Sequence, residues 1–315
     1  MAARAPLFND RDRRIETAVR RAAAGKHLVL AVSGGRDSMA LLYAAANAAR
    51  DSVAMVATFD HGTGPAATRA ADLVARTAIG LRLPVVVGRD EQLGISEADW
   101  REARRRFFAD VSARTAGTIA TAHTRDDQVE TVLMRVLRNS GARGLAGLYA
   151  GKTMVRPLLE FTRDEVAAYA AEAGATWVED PTNKSMRFFR NRVRRDLLPA
   201  IARVTPGFED QLIGLARDAG TWRERVDDFV DSLAHVASDL TSVSVAVDDL
   251  VGYSGEQLAS LWPAVAARVG LAMDWRGTRR AAAFTNQSRT GTRIQLSGGW
   301  EIARSRELFE LRRWR

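Results

Sequence analysis

Three groups of residues have types and spacing that can do chemistry. The first, Ser33-Gly34-Gly35-Arg36-Asp37-Ser38, lies directly between the apolar runs 27–32 and 39–44, where a strand, a glycine turn and a helix meet. Two glycines let backbone N–H groups approach an anion, two serine hydroxyls can donate, and the helix start adds a positive dipole end. Such a junction can hold phosphate, with Asp37 then able to hold a magnesium ion against it, or can be an ordinary strand-to-helix turn. The second group is Thr121-Ala122-His123-Thr124-Arg125-Asp126-Asp127-Gln128-Val129-Glu130-Thr131, three acids in the first turns of a helix behind a histidine. Asp126 and Glu130 are four apart and share one face, while Val129, Val132 and Leu133 turn the other to the core. Helix capping and dipole compensation, about 0.3–2 kcal/mol together, need neither His123 nor a second and third acid. A magnesium ion or a cationic substrate such as the ammonium group of an amino acid would use them. The third group, Arg187-Phe188-Phe189-Arg190-Asn191-Arg192-Val193-Arg194-Arg195, mixes basic and apolar residues. On a helix Phe189, Val193 and Leu197 form a buried stripe and leave Arg187, Arg190 and Arg194 on a neighbouring face. Such a face forks onto phosphates beside stacked bases, or is simply solvated.

Positioning these groups requires strands that end where they begin. Residues 53–59 and 85–87 read as buried strands and 118–121 as a short one, alternating with helices at 66–81, 97–114 and 126–138. That alternation implies an α/β fold, a parallel sheet covered by helices on both faces. Ligands of such sheets sit beyond the carboxyl ends of the strands, where 33–38, Asp60-His61 and 123–130 fall. A long helical pattern over 207–237 reads as a connector. The remainder alternates at 243–247, is helical at 255–268 and returns to strands over 292–311, a smaller α+β domain. The expected division is 1–206, a connector over 207–240, and 241–315. Asp180-Pro181-Thr182-Asn183 is a turn by composition. Trp177, Trp222, Trp262, Trp275, Trp300 and Trp314 read as core or interface residues.

Lys plus Arg total 46 against 38 for Asp plus Glu, a net charge of +8, and the only lysines are Lys26, Lys152 and Lys184. The excess favours a polyanionic partner, although a GC-rich genome also exchanges Lys for Arg. The absence of cysteine excludes disulfides, thiolate zinc sites and persulfide chemistry in this chain. No secretory segment is evident, and the longest apolar run, 39–49, is too short for a bilayer. A cytoplasmic enzyme without membrane contact is expected.

The 33–38 loop has neither the spacing of a Walker A loop nor Gly-x-Gly-x-x-Gly. It resembles the PP-loop of the ATP pyrophosphatases. Together with Asp60-His61-Gly62, the 122–131 segment, Arg156-Pro157-Leu158-Leu159, Glu179-Asp180-Pro181-Thr182-Asn183 and Arg190-Asn191-Arg192-Val193-Arg194, it resembles the tRNA(Ile)-lysidine synthases over roughly residues 25–200. The resemblance implies a PP-loop ATP-pyrophosphatase domain followed by a small tRNA-contacting domain. It implies replacement of the 2-oxo group of the wobble cytidine of CAU-anticodon tRNA(Ile) by the side-chain amine of free L-lysine. ATP would adenylate that oxygen, so pyrophosphate and then AMP leave. By the same resemblance Ser33, Gly34, Gly35, Arg36, Asp37, Ser38, Asp60 and His61 would hold ATP, and Asp37 would hold Mg2+. Asp126, Asp127 and Glu130 would hold lysine, and Arg187, Arg190, Arg192, Arg194 and Arg195 the tRNA. Asp37, Asp127, Glu130, His123 and Arg101 would be the catalytic set; Arg101 and Arg104 either line the cleft or decorate a helix.

A lysine amine with a reference pKa of about 10.4 is neutral about one part in a thousand near pH 7, a cost of about 4 kcal/mol. Carboxylates hold it charged, which places them near the α-amino end or the metal and makes His123 a candidate base. The chain departs from the family at Gly62-Thr63-Gly64-Pro65, where Gly-Leu-Arg-Pro is usual. Other readings are a different PP-loop tRNA-modifying or amidating enzyme, or an ATP-binding sensor without chemistry. A homodimer is left open.

Overall fold

A computed structural model describes residues 10–60, 62, 64–89, 97–151, 153–179 and 185–314, without the side chains of residues 10–13, 97, 98, 100 and 101. Two compact units result, one from residues 1–134 and 151–213, the other from 135–150 and 214–315.

In the first unit, helix α1 (Asp10–Ala23) precedes strand β1 (Leu28–Ala31), all four of whose residues are buried. The side chains of β1 alternate: Leu28 and Leu30 join one apolar cluster with Met39, Leu41 and Leu42, while Val29 and Ala31 join another with Phe108 and Val111. A strand apolar on both faces can exist only between layers of helix. Those layers come from α2 (Arg36–Ala48), α3 (Pro65–Gly80), α4 (Glu97–Thr115) and α5 (Arg125–Leu137). Each follows one strand: β1, β2 (Val53–Asp60), β3 (Val85–Arg89) and β4 (Thr118–Ala120) respectively.

After a short helix α6 (Ala142–Leu145), β5 (Met154–Val155) pairs with β4 and completes a parallel sheet of order β3-β2-β1-β4-β5. Helix α7 (Arg163–Glu172) packs with α1 and α2, and the Tyr169 hydroxyl donates to Glu16 at 3.1 Å. Next come α8 (Phe189–Arg192), one π-helical turn at Val193–Leu197, α9 (Leu198–Val204) and the 26-residue α10 (Phe208–Leu233). The chain leaves β1 toward β2 and β3, then crosses back to β4, so the order reverses between β1 and β4. In an open α/β sheet a crevice forms at that reversal, outside the carboxyl ends of the strands.

The second unit holds an antiparallel sheet of order β6 (His235–Val236), β7 (Ser242–Ala246), β10 (Leu308–Arg313), β9 (Trp300–Arg304) and β8 (Arg293–Leu296). Helices α11 (Gly255–Ala267) and α12 (Trp275–Gln287) share its core of Trp262, Phe309, Ile302, Val243 and Val245. Trp262 donates its indole N–H to Thr285 at 2.8 Å, which satisfies a buried polar edge. Helix α12 has no counterpart in the sequence reading, because its inward residues are mostly small: Gly277, Ala281, Ala282, Phe284 and Thr285. Trp262 and Trp300 are core residues as expected; Trp275 and Trp314 are exposed. Among the described residues, no helix is long and apolar enough to cross a membrane.

Leu30 lies in the central strand with no exposed surface. Leu30→Ala is expected to cost about 2–5 kcal/mol, read as a lower urea midpoint by far-UV circular dichroism.

Candidate active site

The loop after β1 is held open by its own side chains. Gly34 has φ +81, and a Cβ there would lie 2.8 Å from the Cβ and carbonyl oxygen of Ala70, so only glycine fits. Its carbonyl accepts the N–H of Val178 at 3.0 Å. Ser38 is buried, donates to the Gly35 carbonyl at 2.8 Å and accepts the Ser33 N–H at 3.2 Å. Helix α2 then starts from Gly35 with no side chain on its first N–H groups. Those donors face outward for an anion. Asp37 stands in this first turn with Arg36 Nε 3.2 Å from its Oδ1. Burial raises the Asp37 pKa, and the neighbouring Arg36 charge offsets only part of the rise.

Beyond β4 the three acids of α5 separate. Asp127 closes a reciprocal cap with Thr124, accepting its N–H at 2.9 Å on Oδ2, and Oδ1 stands 3.3 Å from both Arg163 and Arg190. Burial works to raise this carboxyl, but the Thr124 N–H and the Arg190 and Arg163 charges outweigh it and hold the pKa low. Asp126 accepts the N–H of Arg163 at 2.8 Å, at the first residue of α7. Glu130 has a side chain only 1% exposed. Its Oε1 accepts from Arg194 Nε at 2.6 Å and Arg163 at 3.3 Å, and its Oε2 from Arg190 Nε at 2.7 Å and Arg194 at 3.0 Å.

The expected carboxylate cluster is therefore divided. Asp127 lines the main cleft, whereas Asp126 and Glu130, on the face four residues apart, line a separate cavity of about 130 Å³. The arginine run divides too. Arg190 and Arg194 turn to Glu130; Arg187, Arg192 and Arg195 stay exposed, and Arg192 sits 5.6 Å from the Phe189 ring. Val193 is fully buried but Phe189 and Leu197 only half so, and the π turn at Val193–Leu197 shifts the helical register beyond Val193.

The main cleft, about 520 Å³, joins Ser33, Gly35, Arg36, Asp37 and Ser38 to Thr121, His123 and Asp127 across the β1–β4 reversal. Its volume suits a nucleotide-sized ligand. Five arginines line it, Arg36, Arg104, Arg163, Arg194 and Arg195, against three acids, Asp37, Asp127 and Glu179. That balance attracts phosphate. His123 Nδ1 lies 2.8 Å from the Thr121 hydroxyl. Burial lowers the His123 pKa, and Asp127 pulls against it while Arg156, Arg190 and Arg104 push with it, so the imidazole is neutral near pH 7. Asp60 does not line the cleft; it accepts from Gly62 at 3.0 Å and Thr68 at 2.9 Å and ties the end of β2 to α3. His61 and the side chain of Arg101 lie outside the described residues.

Asp37 offers an anionic oxygen beside the loop hydroxyls, and no cluster of three or more His, Asp or Glu groups forms a metal cage among the described residues. This donor set fits Mg2+, which takes one or two carboxylates and completes its shell with phosphates and water. Arg163, Trp177 and Val178 also line the cleft but lie outside the site expected from sequence. The Thr162–Glu165 capping box marks where α7 starts, not that its first residue returns to Asp127. Glu179, next to the 180–183 turn in sequence, adds a carboxylate to the cleft with no ion-pair partner among the described residues.

Residues 9–201 match the family described as PP-loop domain, and the chain belongs to that family. Within it, the chain is 40% identical over 186 residues to a tRNA(Ile)-lysidine synthase of Solibacter usitatus, covering 57% of this chain and 42% of the relative. It is 42% identical over 218 residues to that of Symbiobacterium thermophilum, covering 64% and 44%, respectively. The chain thus spans about half the length of the curated relatives it matches. Among solved structures, a U34-tRNA thiolase NcsA from Methanococcus maripaludis with its [4Fe-4S] cluster shares the fold, with TM-score 0.54 and 17% identity over 67% of this chain and 78% of that one.

Glu130→Ala would leave three arginines without their buried anion, an expected cost of about 3–5 kcal/mol in a thermal or urea unfolding measurement. Because the Asp127 pKa is lowered by folding, its stabilisation is complete above the ordinary carboxylate pKa and fades as pH falls through the folded value. Asp127→Asn should therefore destabilise the protein clearly at pH 7 and progressively less toward pH 3, compared by thermal melts across that range.

Proposed function

We propose that this chain uses ATP to activate the wobble cytidine of CAU-anticodon tRNA(Ile) and joins free L-lysine to its C2, forming lysidine. One observation carries this reading: the loop after β1 and the His123–Asp127 segment after β4 line a single cleft. The names of the relatives support the choice of base and amine.

In the first step the C2 oxygen attacks the α-phosphorus, the bond to the β-phosphate bridging oxygen breaks, and pyrophosphate leaves. The open N–H groups of α2, with Ser33 and Arg36, would hold the phosphates and steady that leaving charge. Mg2+ on Asp37 would neutralise phosphate charge when bound. In the second step the lysine Nε attacks C2, the C2–oxygen bond breaks and AMP departs with the oxygen, while the amine surrenders protons. His123 is neutral and can take one on Nε2 if its Nδ1–H donates to Thr121.

Asp127 already carries a full set of donors, so Glu179, which lines the same cleft, is the carboxylate left to meet the lysine α-ammonium. Glu130 and Asp126 act by position: one fixes the arginines, the other the start of α7. Arg187 and Arg192, both exposed, would meet tRNA phosphates. A thiolation reading is weakened by the absence of cysteine from this chain.

With ATP, Mg2+, labelled lysine and CAU-anticodon tRNA(Ile), label should enter the tRNA together with pyrophosphate and AMP. Replacing the wobble cytidine by uridine should abolish incorporation, and Asp37→Asn should slow it by about 10²–10³-fold. Folded protein that transfers no label would overturn the reading.

A further inference from the structure

Helix α12 of the second unit reads WRGTRRAAAFTNQ, three arginines and no acid. Its inward side is fixed by Gly277, Ala281, Ala282, Phe284 and Thr285, all buried. Arg276, Arg279 and Arg280 consequently project outward and are exposed, and Trp275 beside them is 62% exposed. None of these arginines has an ion pair among the described residues, whereas other arginines of the same unit do: Arg268 binds Asp227 and Asp231, Arg143 binds Asp227, and Arg312 binds Glu301 and Glu310. The neighbouring acid, Asp274, is committed to the helix start, accepting from Gly277 at 2.6 Å and Ser297 at 2.9 Å.

The Arg279 guanidinium lies 5.0 Å from the Trp275 ring centroid. A cation over one face of an indole holds the ring in place and leaves the opposite face for a second planar group. Exposed arginines without an ion pair fork onto phosphates, and an exposed ring stacks on an unpaired base, a combination that matches RNA. An acidic protein segment would neutralise the arginines but would not use the ring face.

We infer that the outward face of α12 is an RNA-binding surface, with Arg276 and Arg280 on phosphates and Trp275 stacked on an unpaired base under the hold of Arg279. This inference rests on the reading that the substrate is a tRNA. The test measures the affinity of the full chain for tRNA(Ile), and for heparin as a polyanion without bases, over a range of salt concentrations. Arg276→Gln with Arg280→Gln should weaken both ligands and reduce the magnitude of the log–log salt slope for tRNA by about two. Trp275→Ala should weaken tRNA about tenfold and leave heparin unchanged, while Trp275→Phe should keep most of the tRNA affinity. ATP binding should be equal in all variants, which controls for folding. If wild-type chain binds tRNA and all variants bind it equally, the surface is overturned while the substrate reading stands, and an acidic protein becomes the partner to seek. An equal loss of heparin in Trp275→Ala overturns the stacking role, and failure of the wild-type chain to bind tRNA overturns the substrate reading itself.

Discussion

The buried carboxylate of Glu130 fixes the geometry on which the cleft depends. A carboxylate taken from water is costly unless its lone pairs are filled, and here arginines from α7, α8 and the π turn fill them. Each then has less freedom to move. Arg163 and Arg190 are thereby held 3.3 Å from Asp127, and Arg163 and Arg194 become part of the cleft wall. An apolar residue at position 130 would pack more cheaply but could not aim three guanidinium groups. The ion network is thus better understood as a means of orientation than as a source of stability.

The sheet supplies the other half of the arrangement. Because the strand order reverses between β1 and β4, two segments separated by nearly ninety residues of chain emerge side by side, with no helix crossing between them. One presents open N–H groups and the other a neutral histidine and an anchored carboxylate. Arg156, Arg190 and Arg104 add to burial in disfavouring the imidazolium form that could not accept a proton, and Arg104 also lines the cleft.

The parallel sheet was legible because both-face burial writes itself as continuous apolar runs, and the phosphate loop because glycine and serine are needed at fixed positions. The strand β5 was not, since two residues joined to β4 by hydrogen bonds leave no periodicity. Helical spacing correctly placed Asp126 and Glu130 on one face but could not say that this face turns to arginines instead of the cleft. That depended on Arg163, more than thirty residues away in sequence and brought back by the packing of α7. In the Arg187–Arg195 run, helical spacing groups Arg187, Arg190 and Arg194 on one face, yet only Arg190 and Arg194 turn to Glu130, and the register shift of a π turn has no compositional mark. Residue type alone reads Trp275 as core or interface, and its exposure rules out the core.

Arginine count alone says little about partners, since pairing decides what a charge is available to do. In the first unit Arg163, Arg190 and Arg194 are spent on Asp127 and Glu130, and their electrostatic reach is shortened accordingly. In the second, Arg268 and Arg143 are spent on Asp227. The three arginines of α12, by contrast, make no ion pair among the described residues. A short-range contact there loses little to competing acids, and salt screens it only as strongly as its exposure allows. An even scatter of the same charge would attract polyanions without orienting them, whereas an unpaired helix face beside a held indole ring imposes an orientation.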